Sequence, residues 1–170
     1  MSQQGTVIDS LDFARRQGSV SGRLEPRQLP RLAEILFDGE GSLEFTVSGE
    51  ATAGPLAETA ALILSIDGTM RLTCQRCLGA LEHPVRIRSR LNLVKPGTCW
   101  HEDGHAGAIG DDSGDAIEAE HDLDIAALVE EEILLALPIA PRHEDCAVPG
   151  GAAGTGARSP FASLARMKLR

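Results

Sequence analysis

Two runs of alternating residues flank a single Cys-x-x-Cys turn, and this arrangement commits much of the chain to long β-strands. Leu62, Leu64 and Ile66 share one parity, and Met70, Leu72 and Cys74 continue it past Asp67-Gly68. After Cys74-Gln75-Arg76-Cys77, one face is held by Leu81, His83, Val85, Ile87, Ser89, Leu91 and Leu93, and the other by Arg86, Arg88 and Arg90. Period-two patterning of this kind marks strands half buried against a core. Asp67-Gly68 also fits a tight hairpin, but the preserved parity favours one long strand with a bulge or bend at Gly68. Leu43, Phe45 and Val47 form a further alternating strand, and residues 49–58 read as a loop.

Helical spacing is confined to three places. Leu29, Leu32, Ala33, Leu36 and Phe37 recur between Glu25 and Phe37, which predicts a short helix starting near Pro30 and ended by Asp38-Gly39-Glu40-Gly41. The main helix opens at Asp122 or Asp124, either of which can cap it, and stops at Pro138 and Pro141. Its predicted inner face is Ile125, Leu128, Val129, Glu132 and Leu135, with Glu132 reaching for an arginine of the sheet. Three consecutive carboxylates on a helix fan outwards and cannot converge on one ion, so Glu130 and Glu131 are expected on a solvated face. Ser159-Pro160 starts a third, amphipathic helix carrying Phe161 and Leu164. The expected fold is α+β: a single domain with an antiparallel β-rich core, one main acidic helix and a short C-terminal helix. Its boundaries are a domain over 1–146 with a flexible loop at 96–121, a Gly/Ala-rich linker over 147–158, and the terminal helix over 159–170.

Charge limits the partners. The net charge of −9 argues against a generally basic nucleic-acid binder. The charge is unevenly spread, however. Residues 71–95 hold six basic residues against one acid, whereas residues 102–145 hold fourteen acids against one base, so a basic strand region lies beside an acidic segment. Arg86, Arg88 and Arg90 would project in a row at intervals of roughly 6–7 Å. Such a row suits phosphate contacts, and it equally suits a solvated face or a protected sheet edge. Glu130 and Glu131, with the apolar Phe161 and Leu164, are candidate partner-binding residues. The N-terminus has no secretion-signal pattern and no apolar run is long enough to span a bilayer, so a cytoplasmic location is expected.

The chemistry-bearing residues lie in two separated segments. Cys74 and Cys77 are followed much later by His143 and Cys146, which makes four soft ligands in a tetrahedral zinc pattern. A redox Cys-x-x-Cys normally sits at a helix N-terminus that lowers the thiol pKa. This one follows a strand, which is the position of a zinc knuckle. Cys99, His101 and His105 lie in the long loop and make a weaker metal signal. No serine-nucleophile elbow, phosphate loop or His-Glu-x-x-His pattern is present.

Three segments in this order carry a family resemblance: CQRCL at Cys74–Leu78, DLDIAALVEEEILLALPIAPRHEDC at Asp122–Cys146, and SPFASLARMK at Ser159–Lys168. IDSLDFAR at Ile8–Arg15 fits more loosely. Together they resemble the bacterial YceD family of large ribosomal RNA subunit accumulation proteins. The resemblance implies a cytoplasmic protein needed for accumulation or processing of 23S ribosomal RNA, with no established enzymatic activity and no family catalytic residue to carry over. It carries over Cys74, Arg76, Cys77 and Leu78 from the first segment, and Glu131, Pro138, His143 and Cys146 from the second.

The expected function is therefore a non-enzymatic ribosome biogenesis factor. Its expected partners are large-subunit rRNA, met through Arg76, Arg86, Arg88 and Arg90, or a basic ribosomal protein. Neither a membrane nor a small-molecule substrate is expected. Two alternatives stand beside it: a thiol oxidoreductase using Cys74 and Cys77, and a small interaction protein built on one structural zinc.

Overall fold

The computed structural model describes residues 6–53, 58–97 and 115–149. Five strands form one sheet in the order β2 (Ser19–Leu24), β3 (Leu36–Ala53), β4 (Glu58–Thr73), β5 (Ala80–Val94) and β6 (Ala116–Glu118). All neighbours are antiparallel except β5 and β6. A small ribbon pairs β1 (Val7–Ile8) with β7 (Leu123–Asp124). Among the described residues three α-helices accompany the sheet: α1 (Ser10–Arg15), α2 (Pro30–Ala33) and α3 (Ile125–Ala136). This is an α+β domain with an antiparallel, β-rich core.

The alternation does what period two requires. Phe45 pairs with Ile66 and Ile66 with Ile87, while Val47 pairs with Leu64, and all of these side chains are buried. Helix α3 closes that face with Ile125, Leu128, Val129 and Ile133. β4 is one uninterrupted strand, and its register passes Gly68 without a shift on either side. The expected bulge is absent there because Gly68 serves a different need. A Cβ at this position would stand 2.1 Å from the carbonyl oxygen of Ser42, so only glycine lets β3 approach so closely. The irregularity lies in β3 instead, between Leu36 and Gly41, where Gly41 takes φ +135°. Asp38-Gly39-Glu40-Gly41 is therefore a bulge inside a strand rather than the stop of a helix.

Several boundaries differ from expectation for the same reason: strand pairing overrides local signals. Leu36 and Phe37 join β3, leaving α2 as a single turn behind a 3-10 turn at Pro26–Gln28. Residues 49–53 and 58 extend the two central strands into the expected loop. Residues 116–118 form β6 inside the segment expected to be irregular, held by Asn92 N–H to Asp115 O at 2.7 Å and Ala119 N–H to Val94 O at 2.8 Å. The N-terminal clusters form β1 and α1, with Asp9 capping α1 through Asp12 N–H at 2.8 Å. Ser10 is fully buried and its hydroxyl donates to Glu120 O, tying α1 to the chain ahead of β7. The expected terminal helix, most of the linker and residues 98–114 lie outside the described residues.

His121 Nδ1 lies 2.6 Å from Asp9 Oδ2. The Asp12 amide and then His121 hold the Asp9 carboxyl below its ordinary value, and Asp9 holds the imidazole of His121 above its own. The two contributions have opposite signs. That of Asp9 is lost as pH falls through its lowered value; that of His121 is lost as pH rises through its raised value. The pair is therefore complete in the weakly acidic range between them. An NMR titration should show His121 with a midpoint above 6.5, falling back in Asp9→Asn. A midpoint unmoved by that substitution would show that Asp9 does not govern it.

Helix α3 is rotated from the predicted phase. Asp124 caps it through Ala126 N–H at 2.8 Å, and it ends when Leu137 turns extended ahead of Pro138. Leu135, expected inside, is exposed. Glu130, expected on a solvated face, is buried at 5% exposure, and its Oε1 accepts from the backbone N–H groups of Arg31 at 2.8 Å and Leu32 at 3.0 Å. The short helix α2 thus finds its N-terminal acceptor in a carboxyl from α3. Glu131 pairs with the Arg31 side chain, and Glu132 meets the Ser89 hydroxyl rather than an arginine. The three carboxylates do fan outwards, but each reaches an internal partner.

A candidate metal centre at the end of the sheet

The β4–β5 connection is built to hold its cysteines. Cys74 N–H donates to Gly79 O and Leu78 N–H donates to Cys74 O, both at 2.9 Å, so residues 74–79 close a tight loop. Leu78 takes φ +59°, an uncommon conformation for leucine, which turns the chain back into β5. Gln75 N–H reaches across to Pro141 O at 2.8 Å and brings in the segment that follows α3. Pro138 and Pro141 stop the helix, and that stop lets residues 141–146 double back over the Cys turn.

Cys74, Cys77, His143 and Cys146 converge there, with their ligand atoms all within 4.8 Å of one another. Cys74 Sγ lies 3.8 Å from Cys146 Sγ, and Cys77 Sγ lies 3.3 Å from His143 Nδ1. Tetrahedral zinc with bonds of about 2.3 Å to sulfur and about 2.0 Å to nitrogen sets such edges at roughly 3.8 and 3.5 Å. The donor set therefore fits zinc in both kind and spacing.

The surroundings fit as well. His143 Nε2 lies 3.0 Å from Ala80 O. A carbonyl can only accept, so Nε2 carries the proton and Nδ1 presents its lone pair towards Cys77, which is the usual outer support of a ligating histidine. Burial pushes the Cys74 thiol up, but the backbone N–H groups of Cys77, Arg76 and His143 and the Cys77 side chain bring it down to about 5. Burial and the neighbouring Cys74 and Cys77 sulfurs push Cys146 up. The cluster thus favours one thiolate and resists further unpaired negative charge, which is the condition a divalent cation relieves. Arg76 also belongs here, with its N–H on Cys74 Sγ at 3.5 Å and its guanidinium on Cys146 O at 3.5 Å.

The arginine row is not free. Arg86, Arg88 and Arg90 are exposed on one face of β5 as the alternation predicts. Arg88 pairs with Asp67 at 2.7 Å and Arg90 with Glu50 at 2.6 Å. Arg86 has no ion-pair partner among the described residues. Glu130 is not available to a partner at all, because it is buried against α2, and Glu131 is engaged by Arg31. Phe161, Leu164, Cys99, His101 and His105 lie outside the described residues. Sequence reasoning missed the Glu130 tie and the Ala80 carbonyl behind His143, since both depend on chain crossings that periodicity does not encode.

Among the described residues no helix is long and apolar enough to cross a membrane. No solved structure matches the chain. The family described as Large ribosomal RNA subunit accumulation protein YceD matches residues 62–168, a span that includes the Cys turn, α3 and the His143–Cys146 segment. With more than half its length covered, including all four converging ligands, the chain belongs to the YceD family.

Proposed function

We propose that this protein is a non-enzymatic factor in biogenesis of the large ribosomal subunit, supporting the synthesis, processing or accumulation of 23S rRNA, with one structural zinc at Cys74, Cys77, His143 and Cys146. Family membership carries the rRNA reading. The four-ligand geometry carries the zinc reading. Zinc here would pin the segment after α3 onto the β4–β5 turn and supply folding energy rather than chemistry. A thiol oxidoreductase fits less well. Cys74 is fully buried, the motif follows a strand, and Cys77 faces His143 rather than an open surface.

The charge map favours a protein-mediated route over tight direct RNA binding. Three of the six basic residues of 71–95 already hold ion pairs: Arg88 and Arg90, and Arg71 with Asp38 and Glu40, its guanidinium over Phe37. The test is recovery of the tagged protein from gently crosslinked cells. Precursor 23S rRNA or large-subunit proteins should be enriched with it. Replacing Arg86, Arg88 and Arg90 together should lower the salt slope of any RNA association by about one unit per lost phosphate contact. An unchanged slope removes the row from the RNA surface. Recovery of neither RNA nor ribosomal protein overturns the reading.

A further inference from the structure

The sheet has an open slot on its β5 edge. Asn92 N–H and Val94 O both point towards β6. In a strand the main-chain groups of alternate residues point to the same side. The N–H and C=O groups of Glu82, Arg86, Arg88 and Arg90, and the C=O of Pro84, therefore face away from β4. Pro84, which has no N–H to give, stands at a position where only an open edge tolerates it. Among the described residues no strand covers this stretch. The slot is closed at both ends, by His143 on Ala80 O and by β6 at Asn92, and spans roughly 26 Å between Glu82 and Arg90.

Beside the slot runs a small cleft between β5 and the end of α3, lined by His83, Val85, Ile87, Ile133, Ala136 and Leu137. On the outer face stands the arginine row. Arg88 and Arg90 hold only solvent-exposed ion pairs that another carboxylate can replace, and Arg86 holds none among the described residues. A strand laid along the edge would place alternate side chains over the arginines and the intervening ones over the cleft.

We propose that the β5 edge from Glu82 to Arg90 is a docking site for an extended acidic segment of a partner protein, with acidic and apolar residues in alternation. The main chain of that segment completes the sheet, its carboxylates meet Arg86, Arg88 and Arg90, and its apolar residues enter the cleft. RNA has no row of donors and acceptors alternating at the strand repeat, which the open N–H and C=O groups of this edge require. A second copy is disfavoured: antiparallel pairing centred on Arg88 sets Arg86 against Arg90 and Arg88 against itself.

The test uses the full chain and a fluorescein-labelled nonapeptide of alternating Glu and Val. Binding should be salt-sensitive and should slow hydrogen exchange at the amides of Arg86, Arg88 and Arg90. Methylating the peptide nitrogens should abolish binding in one phase, either all Glu or all Val, and spare it in the other, because only one phase faces β5. Arg88→Pro removes one edge donor and should weaken binding roughly tenfold. Arg86→Glu, which leaves the main chain intact, should weaken it as well. No binding, equal loss in both methylation phases, or binding without amide protection overturns the proposal. Protection of these amides by a short oligouridine without peptide binding reassigns the arginines to RNA. Protection that grows with protein concentration alone reassigns the edge to self-pairing.

Discussion

Replacing Cys77 with Ser is expected to cost the protein its one equivalent of zinc and to lower its melting temperature by roughly 10 °C. Metal that binds only the folded state stabilises it by about 4 kcal/mol when free metal stands a thousandfold above Kd. For a chain of this size each 1 kcal/mol shifts the midpoint by about 2–4 °C. Loss of one thiolate leaves three donors and an open coordination position. The sheet and α3 have their own buried core, so the variant should still fold, with loosening confined to residues 75–79 and 138–146. The check is zinc content with thermal unfolding, with and without a chelator. The chelator should lower the midpoint of the parent protein and leave that of Cys77→Ser unchanged. Cobalt in place of zinc should show a tetrahedral, thiolate-rich spectrum that Cys77→Ser loses. A parent protein that binds no metal when refolded with zinc, or a variant that keeps a full equivalent, removes the site.

Glu130→Ala should destabilise the fold by about 2–4 kcal/mol. The carboxyl serves two backbone donors at the start of α2, and that of Leu32 is in a fully buried residue. Alanine leaves the buried N–H of Leu32 without its acceptor, at about 1–3 kcal/mol, and removes the acceptor of the part-buried N–H of Arg31 as well. Glu130→Gln keeps an acceptor oxygen in the same place and should recover much of the loss. Urea unfolding of the three proteins decides it. A loss below about 0.5 kcal/mol in Glu130→Ala would mean that α2 finds its acceptor elsewhere. Glu131→Ala, its neighbour on an exposed pair with Arg31, should cost far less.

These two predictions rest on residues of very different legibility. The candidate zinc ligands could be read directly, because soft ligands paired at short spacing, after a strand and after a proline stop, form a recognisable pattern. Glu130 could not. It sits in a run of three identical residues, and only the rotation of α3 on the sheet decides which of them turns inward. The local pattern allowed Leu135 inside and Glu130 outside, and packing reversed both. Likewise Arg86, Arg88 and Arg90 were placed on one face by alternation alone. That Arg88 and Arg90 already hold Asp67 and Glu50 follows from how β5 is registered against β4 and, beyond it, β3.

By itself the sequence determined the period of β4, β5 and α3, the parity of β4 and β5, the stop of α3, and the four candidate metal-ligand residues. Within each segment these are set by residues a few positions apart, where side-chain period, proline and capping act directly. Tertiary structure alone decided the bulge at Gly41, the inward turn of Glu130, the parallel addition of β6 and the edge of β5 that no strand covers among the described residues. Each depends on a partner dozens of residues away, and that choice is made by burial and backbone pairing across the whole sheet.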